Sequence, residues 1–261
     1  MKKIREPIVE GLFYPDKAKE LRCLVEKLLE TAGQPRGAAC ALISPHAAFE
    51  KAGPCMAHAY LAAAGRAIRR VFLIGPVHRE PEDAIFLPES SGFRTPLGDC
   101  EVDLAAVETL LSCGTRFVVN DIPHLEEHCL EAQLPFIQFL FPEASIVPIL
   151  VGKPSKGNAR LLAQALHMAE EGRRQESLFV ATANIQAKNA GQALQTVERG
   201  DWENLADSRA ELMCGSTGAA AVMALPAARG GIRLLQRLAP VATERDHLAV
   251  EYAAFALYEA G

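Results

Sequence analysis

Four short apolar runs, Ala39–Ile43, Val71–Ile74, Ser145–Val151 and Leu178–Ala183, constrain this chain more than any other feature. None is long enough to be a helix of its own. Runs of this length without polar alternation are the mark of strands buried on both faces. Between them lie segments with helical spacing. Leu21, Leu24, Val25, Leu28 and Leu29 fall on one helical face, with Asp16 placed to cap the start and Gly33 to end it. The Ala-rich stretch Gly53–Ala64, Val102–Leu111, Ala159–Ala169 and Gly215–Ala224 also read as helices. Glu127–Phe141 has helical spacing too, with Pro135 bending or resetting the turn. Ala84–Leu87 and Ile232–Leu238 read as further strands, and Leu248–Leu257 fits either state. Strands alternating with helices predict an α/β fold, a three-layer α/β/α sandwich around a central mixed sheet.

Two of the runs end in the same way, in Ser44-Pro45-His46 and in Gly75-Pro76-Val77-His78. A histidine where a buried strand gives way to a loop stands at the sheet edge on which α/β proteins collect their chemistry. Imidazole and thiolate donors suit iron, copper or zinc, whereas magnesium and calcium prefer oxygen. His46 and His78 supply two nitrogens, and Cys214 is the best third donor because Gly215 lets the backbone turn closely behind it. A competing motif is His124-Leu125-Glu126-Glu127-His128, the H-x-x-E-H pattern of inverted zinc peptidases. On one helix its histidines would share a face, with Glu127 as general base. No acidic ligand is apparent downstream of it.

With 261 residues and 49% hydrophobic content, the chain can build one large core. No linker-like tract interrupts it, so one domain over residues 1–261 is expected. The net charge of −5 comes without a basic stripe, which argues against nucleic acid as a partner. Residues 1–7 lack the apolar stretch of a signal peptide. Ala219–Ala228 is short and contains Pro226, so no membrane span is expected. Seven cysteines without a signal peptide suit a reducing cytoplasm, and Cys23, Cys40, Cys55, Cys100 and Cys113 show no ligand-like spacing.

These landmarks follow a known order. Gly11-Leu12-Phe13-Tyr14-Pro15 resembles the Gly-x-Trp/Phe-Tyr-Pro of the MEMO family, also called AmmeMemoRadiSam system protein B. Ser44-Pro45-His46-Ala47-Ala48-Phe49 resembles its Pro-His-Ala-Gly-Tyr, Gly75-Pro76-Val77-His78 its Gly-Pro-x-His, and Phe93-Arg94-Thr95-Pro96-Leu97-Gly98 a family loop. The strongest match is Glu127-His128-Cys129-Leu130-Glu131-Ala132-Gln133-Leu134-Pro135-Phe136, against Glu-His-Ser-x-Glu-x-Gln-Leu-Pro-Phe. Pro148–Gly152, Cys214-Gly215 and Val250–Ala254 follow in the family's order, so the resemblance covers nearly the whole chain.

The resemblance implies a fold like that of class III (LigB-type) extradiol dioxygenases. It also implies a metal on His46, His78 and Cys214, with His128 lining the pocket as the catalytic group, and it accounts for His124–His128 without a peptidase. The metal so implied is Fe(II), with zinc and copper as alternatives, in a non-haem oxidoreductase acting on oxygen or a small substrate. Peptide ligands, an AMMECR1-type partner and a radical-SAM partner are implied by the resemblance alone. Three departures bear on this reading. Where some relatives carry a second histidine, this chain has Arg79. Ala48 replaces a glycine beside His46. The family's Ser-Ser-Asp-x-Ser-His-Tyr becomes Thr182-Ala183-Asn184-Ile185-Gln186-Ala187-Lys188, so an aspartate is Asn184 and a histidine is Ala187. If those groups handle protons, the step they assist slows by roughly 10²-fold or more. The competing expectation is therefore a catalytically degenerate metal-binding or scaffold protein, and the blandest is an empty cleft kept by ancestry.

Overall fold

Burial on both faces turns the apolar runs into the centre of a sheet. The computed structural model describes residues 3–34, 37–79, 82–170, 172–238 and 249–260. Its strands are β1 (Ile4–Arg5), β2 (Ala39–Ser44), β3 (Arg70–Pro76), β4 (Ile85–Leu87), β5 (Gly92–Thr95), β6 (Gly98–Glu101), β7 (Phe117–Val119), β8 (Ser145–Val151), β9 (Ser177–Thr182), β10 (Ile185–Gln186), β11 (Ile232–Leu238) and β12 (Val250–Tyr258). Its α-helices are α1 (Ala18–Ala32), α2 (Phe49–Leu61), α3 (Leu104–Ser112), α4 (Asp121–Glu126), α5 (Leu134–Leu140), α6 (Lys156–Ala169), α7 (Ala190–Glu198), α8 (Trp202–Asp207) and α9 (Ser216–Met223).

Among the described residues, the larger sheet has the order β10-β12-β2-β9-β3-β8-β4-β7, with β11 also paired to β12. Its centre, β2-β9-β3-β8, is parallel and buried throughout β2, β3 and β9. The flanks are antiparallel, β12 on β2 and β4 on β8, which makes the sheet mixed. One helical layer contains α1, α2 and α5, and the other contains α3, α6, α8 and α9. The fold is a three-layer α/β/α sandwich. A small sheet, β1-β5-β6, is separate from it.

The register explains where the site forms. Ser44 at the end of β2 lies opposite Thr182 at the end of β9, and Ala181 lies opposite Ile74 of β3. Three parallel strands therefore stop at one level. The loops that leave them carry His46, His78 and Asn184, at the carboxyl edge where open α/β sheets bind ligands.

Local boundaries depart from the sequence reading in instructive ways. Lys17, not Asp16, precedes α1, and its side chain makes no capping bond. Helix α2 begins at Phe49 rather than at Gly53, with Pro54 inside it. Burial of Phe49, Ala52, Met56 and Tyr60 on one face outweighs the hydrogen bond that proline removes. Helix α6 starts at Lys156, three residues before Ala159, because the Ser155 hydroxyl accepts the Asn158 N–H at 3.0 Å. Leu248, the start of the ambiguous C-terminal segment, lies outside the described residues, and Val250–Tyr258 is a strand.

Glu127–Phe141 is not one helix. Helix α4 ends at Glu126, Glu127 is extended (φ −93°, ψ 134°), and a 3₁₀ turn over Glu131–Gln133 leads into α5, where Pro135 sits in the first turn. This overturns the peptidase geometry, because His124 and His128 no longer share a helical face. His124 is buried, with its Nε2 3.2 Å from the Phe86 carbonyl oxygen, so it is a core residue.

Candidate metal centre

The end of β2 buries His46, which is 2% exposed, while the end of β3 sets His78 at the surface of the same cleft. Cys214 arrives from the other direction, just before α9. Its placement depends on Gly215, whose φ of 71° favours glycine and whose Cβ, if present, would lie 2.2 Å from the Thr182 carbonyl oxygen. Gly75 also admits no side chain, since a Cβ there would lie 2.5 Å from Cys129 Sγ and 2.8 Å from Leu130 Cδ2. The Glu127–Leu130 segment can thus lie directly against the end of β3.

One ligand atom each from His46, His78 and Cys214 falls within 4.8 Å of the other two. Cys214 Sγ is 3.4 Å from His46 Nε2. Metal bonds of about 2.1 Å to nitrogen and 2.3 Å to sulfur at a tetrahedral angle put those atoms roughly 3.6 Å apart. The donor set and its spacing therefore fit a transition metal. A second group, His78, Glu127 and His128, meets the same proximity and overlaps the first at His78.

Glu127 orients His78. Its carboxylate accepts the His78 backbone N–H, and its other oxygen lies 2.7 Å from His78 Nδ1. With Nδ1 engaged, Nε2 is the ring atom left for a metal, the carboxylate–histidine arrangement common around metal sites. Burial works against protonation of His78, but hydrogen bonds that its ring donates to Cys214 and Glu127 outweigh it and raise its pKa to about 10. Burial would raise the pKa of Glu127, yet the His78 hydrogen bond holds it below the ordinary carboxylate value. His46 is held well below its ordinary value by burial, then by the charge of His78 and His128. Burial, then His78, also lowers His128.

His128 completes the cleft. Its ring stacks on His78 with centroids 5.3 Å apart and 13° between planes, and lies 5.8 Å from His46. The Phe13 ring meets it edge-on at 5.1 Å. Phe13 is held by the Phe49 N–H, which donates to its carbonyl at 2.8 Å, and by its own N–H, which donates to the Val9 carbonyl at 2.8 Å, while the Val9 N–H and the Tyr14 hydroxyl donate to the buried Glu131 carboxylate. Arg5 pairs with that carboxylate and also donates to the carbonyls of His124 and Glu127, both at 2.9 Å. Gln133 Nε2 donates to the Pro45 carbonyl at 2.8 Å and so ties the same segment to the end of β2.

The structure brings together all four residues singled out in the sequence: His46, His78, Cys214 and His128. It leaves Arg79 exposed, lining a neighbouring pocket of about 180 Å³ with Glu82 and Glu126, while His78 itself lies with the other candidate ligands His46 and Cys214. Sequence reasoning missed Glu127 as the partner of His78, and missed Arg5, Phe13 and Glu131 altogether as supports. Glu127 stands in both the H-x-x-E-H pattern and the Glu127–Phe136 block, and Glu131 in the block alone, but neither signal names their partners.

Comparison with known proteins now bears on this geometry. A family profile described as "Memo-like protein" matches residues 5–188. The chain belongs to the MEMO family. A "MEMO1 family protein" of Aeropyrum pernix is 34% identical over 195 residues, covering 70% of this chain and 69% of the relative. A MEMO1 family protein of Thermoplasma acidophilum is 27% identical over 239 residues, covering 87% and 88%. Among solved structures, an uncharacterized protein from Escherichia coli K12, JW3007, matches with a TM-score of 0.54 at 10% identity, over 82% of this chain and 98% of that one. That likeness concerns the fold. The MEMO profile match contains His46, His78 and His128, whereas Cys214 lies beyond it and reaches the cleft through α9. No helix among the described residues is long and apolar enough to cross a membrane.

Proposed function

We propose that this MEMO family member binds one transition-metal ion through His46, His78 and Cys214. The observation that carries the proposal is the convergence of three soft or borderline donors within 4.8 Å, with the His46–Cys214 separation already near the value a metal requires. Fe(II) is the proposed metal, and zinc and copper accept the same donors. Bound iron would supply redox chemistry toward oxygen or a small ligand, as the likeness to class III extradiol dioxygenases implies. The protein's own residues divide the remaining work. Glu127 fixes the His78 ring, Phe13 fixes the His128 ring, and neutral His128 can accept a proton from a ligand in the cleft and return it. Peptide binding, AMMECR1-type and radical-SAM partners, and a cytoplasmic location belong to the same proposal through the family resemblance.

A second reading is a binding protein without turnover. It is favoured by one observation: where the family pattern of the resemblance has an aspartate and a histidine, Asn184 directs its side chain to the His46 backbone and Ala187 offers only a methyl group. Anaerobic purification, Fe(II) reconstitution and elemental analysis test the metal proposal. Near one equivalent is expected, falling sharply in His46→Ala and Cys214→Ser, and no bound metal after reconstitution would refute it. Oxygen consumption by the iron-loaded protein separates the two readings, since sustained uptake excludes the second.

A further inference from the structure

Asn184, where the family pattern has an aspartate, sits between two of the candidate ligands, and its surroundings give the amide a role. The β2–β9 ladder ends where the Ala183 N–H donates to the Ser44 carbonyl at 2.9 Å. Beyond it, Pro45 has no N–H, and the His46 backbone has left the sheet. Asn184 fills the place of the missing strand. Its Oδ1 accepts the His46 N–H at 3.0 Å, and its Nδ2 donates to the His46 carbonyl at 3.3 Å. Its own backbone N–H points at Cys214 Sγ, 3.2 Å away, and its carbonyl accepts the Cys214 N–H at 3.1 Å. The Cys214 thiol also lies 3.6 Å from that carbonyl, so one residue contacts two of the three candidate ligands through five hydrogen bonds.

We propose that Asn184 is a positioning residue that locks His46 and Cys214 at metal-binding separation, and that the asparagine is required because its side chain must both accept and donate. An ionised carboxylate has acceptors only. At this position one oxygen could take the His46 N–H, but the other would face the His46 carbonyl oxygen with no hydrogen between them. The Asn184→Asp change, which supplies the carboxylate of the family pattern, should therefore weaken this site. That is the reverse of what a decayed proton-transfer group predicts. The inference rests on the metal reading, because His46 and Cys214 matter here as a ligand pair.

Co(II) is the probe, since its visible spectrum reports both the number of ligands and the presence of thiolate. The wild-type protein, Asn184→Asp and Asn184→Ala are titrated with Co(II) against a competing chelator. The expected result is a thiolate–cobalt band in the wild type and a 10- to 100-fold loss of affinity in both variants, the range typical of ligand-orienting partners. Asn184→Asp should lose at least as much as Asn184→Ala, because it adds repulsion to the lost donor. Equal affinity and identical spectra in all three proteins would overturn the inference while leaving the metal reading intact. Failure of the wild type to bind Co(II), Zn(II) or Fe(II) would instead sink the metal reading. The clamp is then judged without metal, by long-range ¹H–¹⁵N spectra of the imidazoles. His46 resonances should shift in Asn184→Asp while those of the distant core residue His124 stay fixed, and an unmoved His46 would refute the clamp.

Discussion

Replacing Glu131 with glutamine probes the packing that supports the site. The carboxylate is fully buried and receives four donors: the Arg5 guanidinium, the Ile8 N–H at 2.9 Å, the Val9 N–H at 3.0 Å and the Tyr14 hydroxyl at 2.7 Å. Burial, then the negative charge of Glu131, pushes the Tyr14 phenol far above its ordinary pKa, so it remains a donor at every working pH. Glutamine keeps one acceptor oxygen but turns an NH₂ group toward donors, and it strands Arg5, 1% exposed, without a counter-charge. Four hydrogen bonds to a charged group at about 1.5–3 kcal/mol each overstate the cost, since they share two oxygens. The better guide is the removal of one partner from a buried ion pair, which costs about 3–5 kcal/mol. With a urea m-value of about 3 kcal/mol/M, the unfolding midpoint should fall by roughly 1–2 M at unchanged m. Arg5→Met combined with Glu131→Gln should lose much less than the two single changes added together, because no charge is then left unpaired. The same variant should disturb the imidazole resonances of His128, since residues 5–14 seat Phe13 against that ring. A loss below about 1 kcal/mol, or strict additivity in the cycle, would refute the reasoning.

Glu127→Gln should weaken metal binding by about 10- to 100-fold through loss of the charged partner of His78, and chelator competition measures it. Gly215→Ala should destabilise the protein by roughly 2–5 kcal/mol, from left-handed strain and the clash with the Thr182 carbonyl. Unchanged thermal unfolding of that variant would show that the turn can relax. His124 provides a pH test. Burial, which outweighs the hydrogen bond to Phe86, lowers its pKa from 6.5 to about 4, so the unfolded chain binds a proton first as pH falls. Its contribution is fully present above pH 6.5 and is lost as pH falls toward 4, about 3 kcal/mol in all. Urea unfolding of wild type and His124→Gln across that window should converge at low pH, and parallel curves would refute the assignment.

What was legible in the sequence follows from how far apart the interacting residues lie. The runs that became β2, β3, β8 and β9 could be read because burial on both faces leaves an unbroken apolar stretch. His46 and His78 could be read as a pair because each follows such a run. Helix starts were less visible: Gly53-Pro54 looks like a boundary, yet tertiary burial of Phe49 extends α2 four residues before it. Arg5 and Glu131, or His78 and Glu127, are joined across 126 and 49 residues, and no local period records such contacts. Glu127 was given a role only within the H-x-x-E-H motif, which assigned it the wrong partner. Asn184 marks the limit most clearly. As a letter in a family pattern it reads as the loss of a carboxylate. Beside a strand end that leaves the N–H and C=O of His46 unpaired, an amide is the side-chain group able to satisfy both at once. The chemistry of that substitution is set by the backbone opposite it, which only the fold supplies.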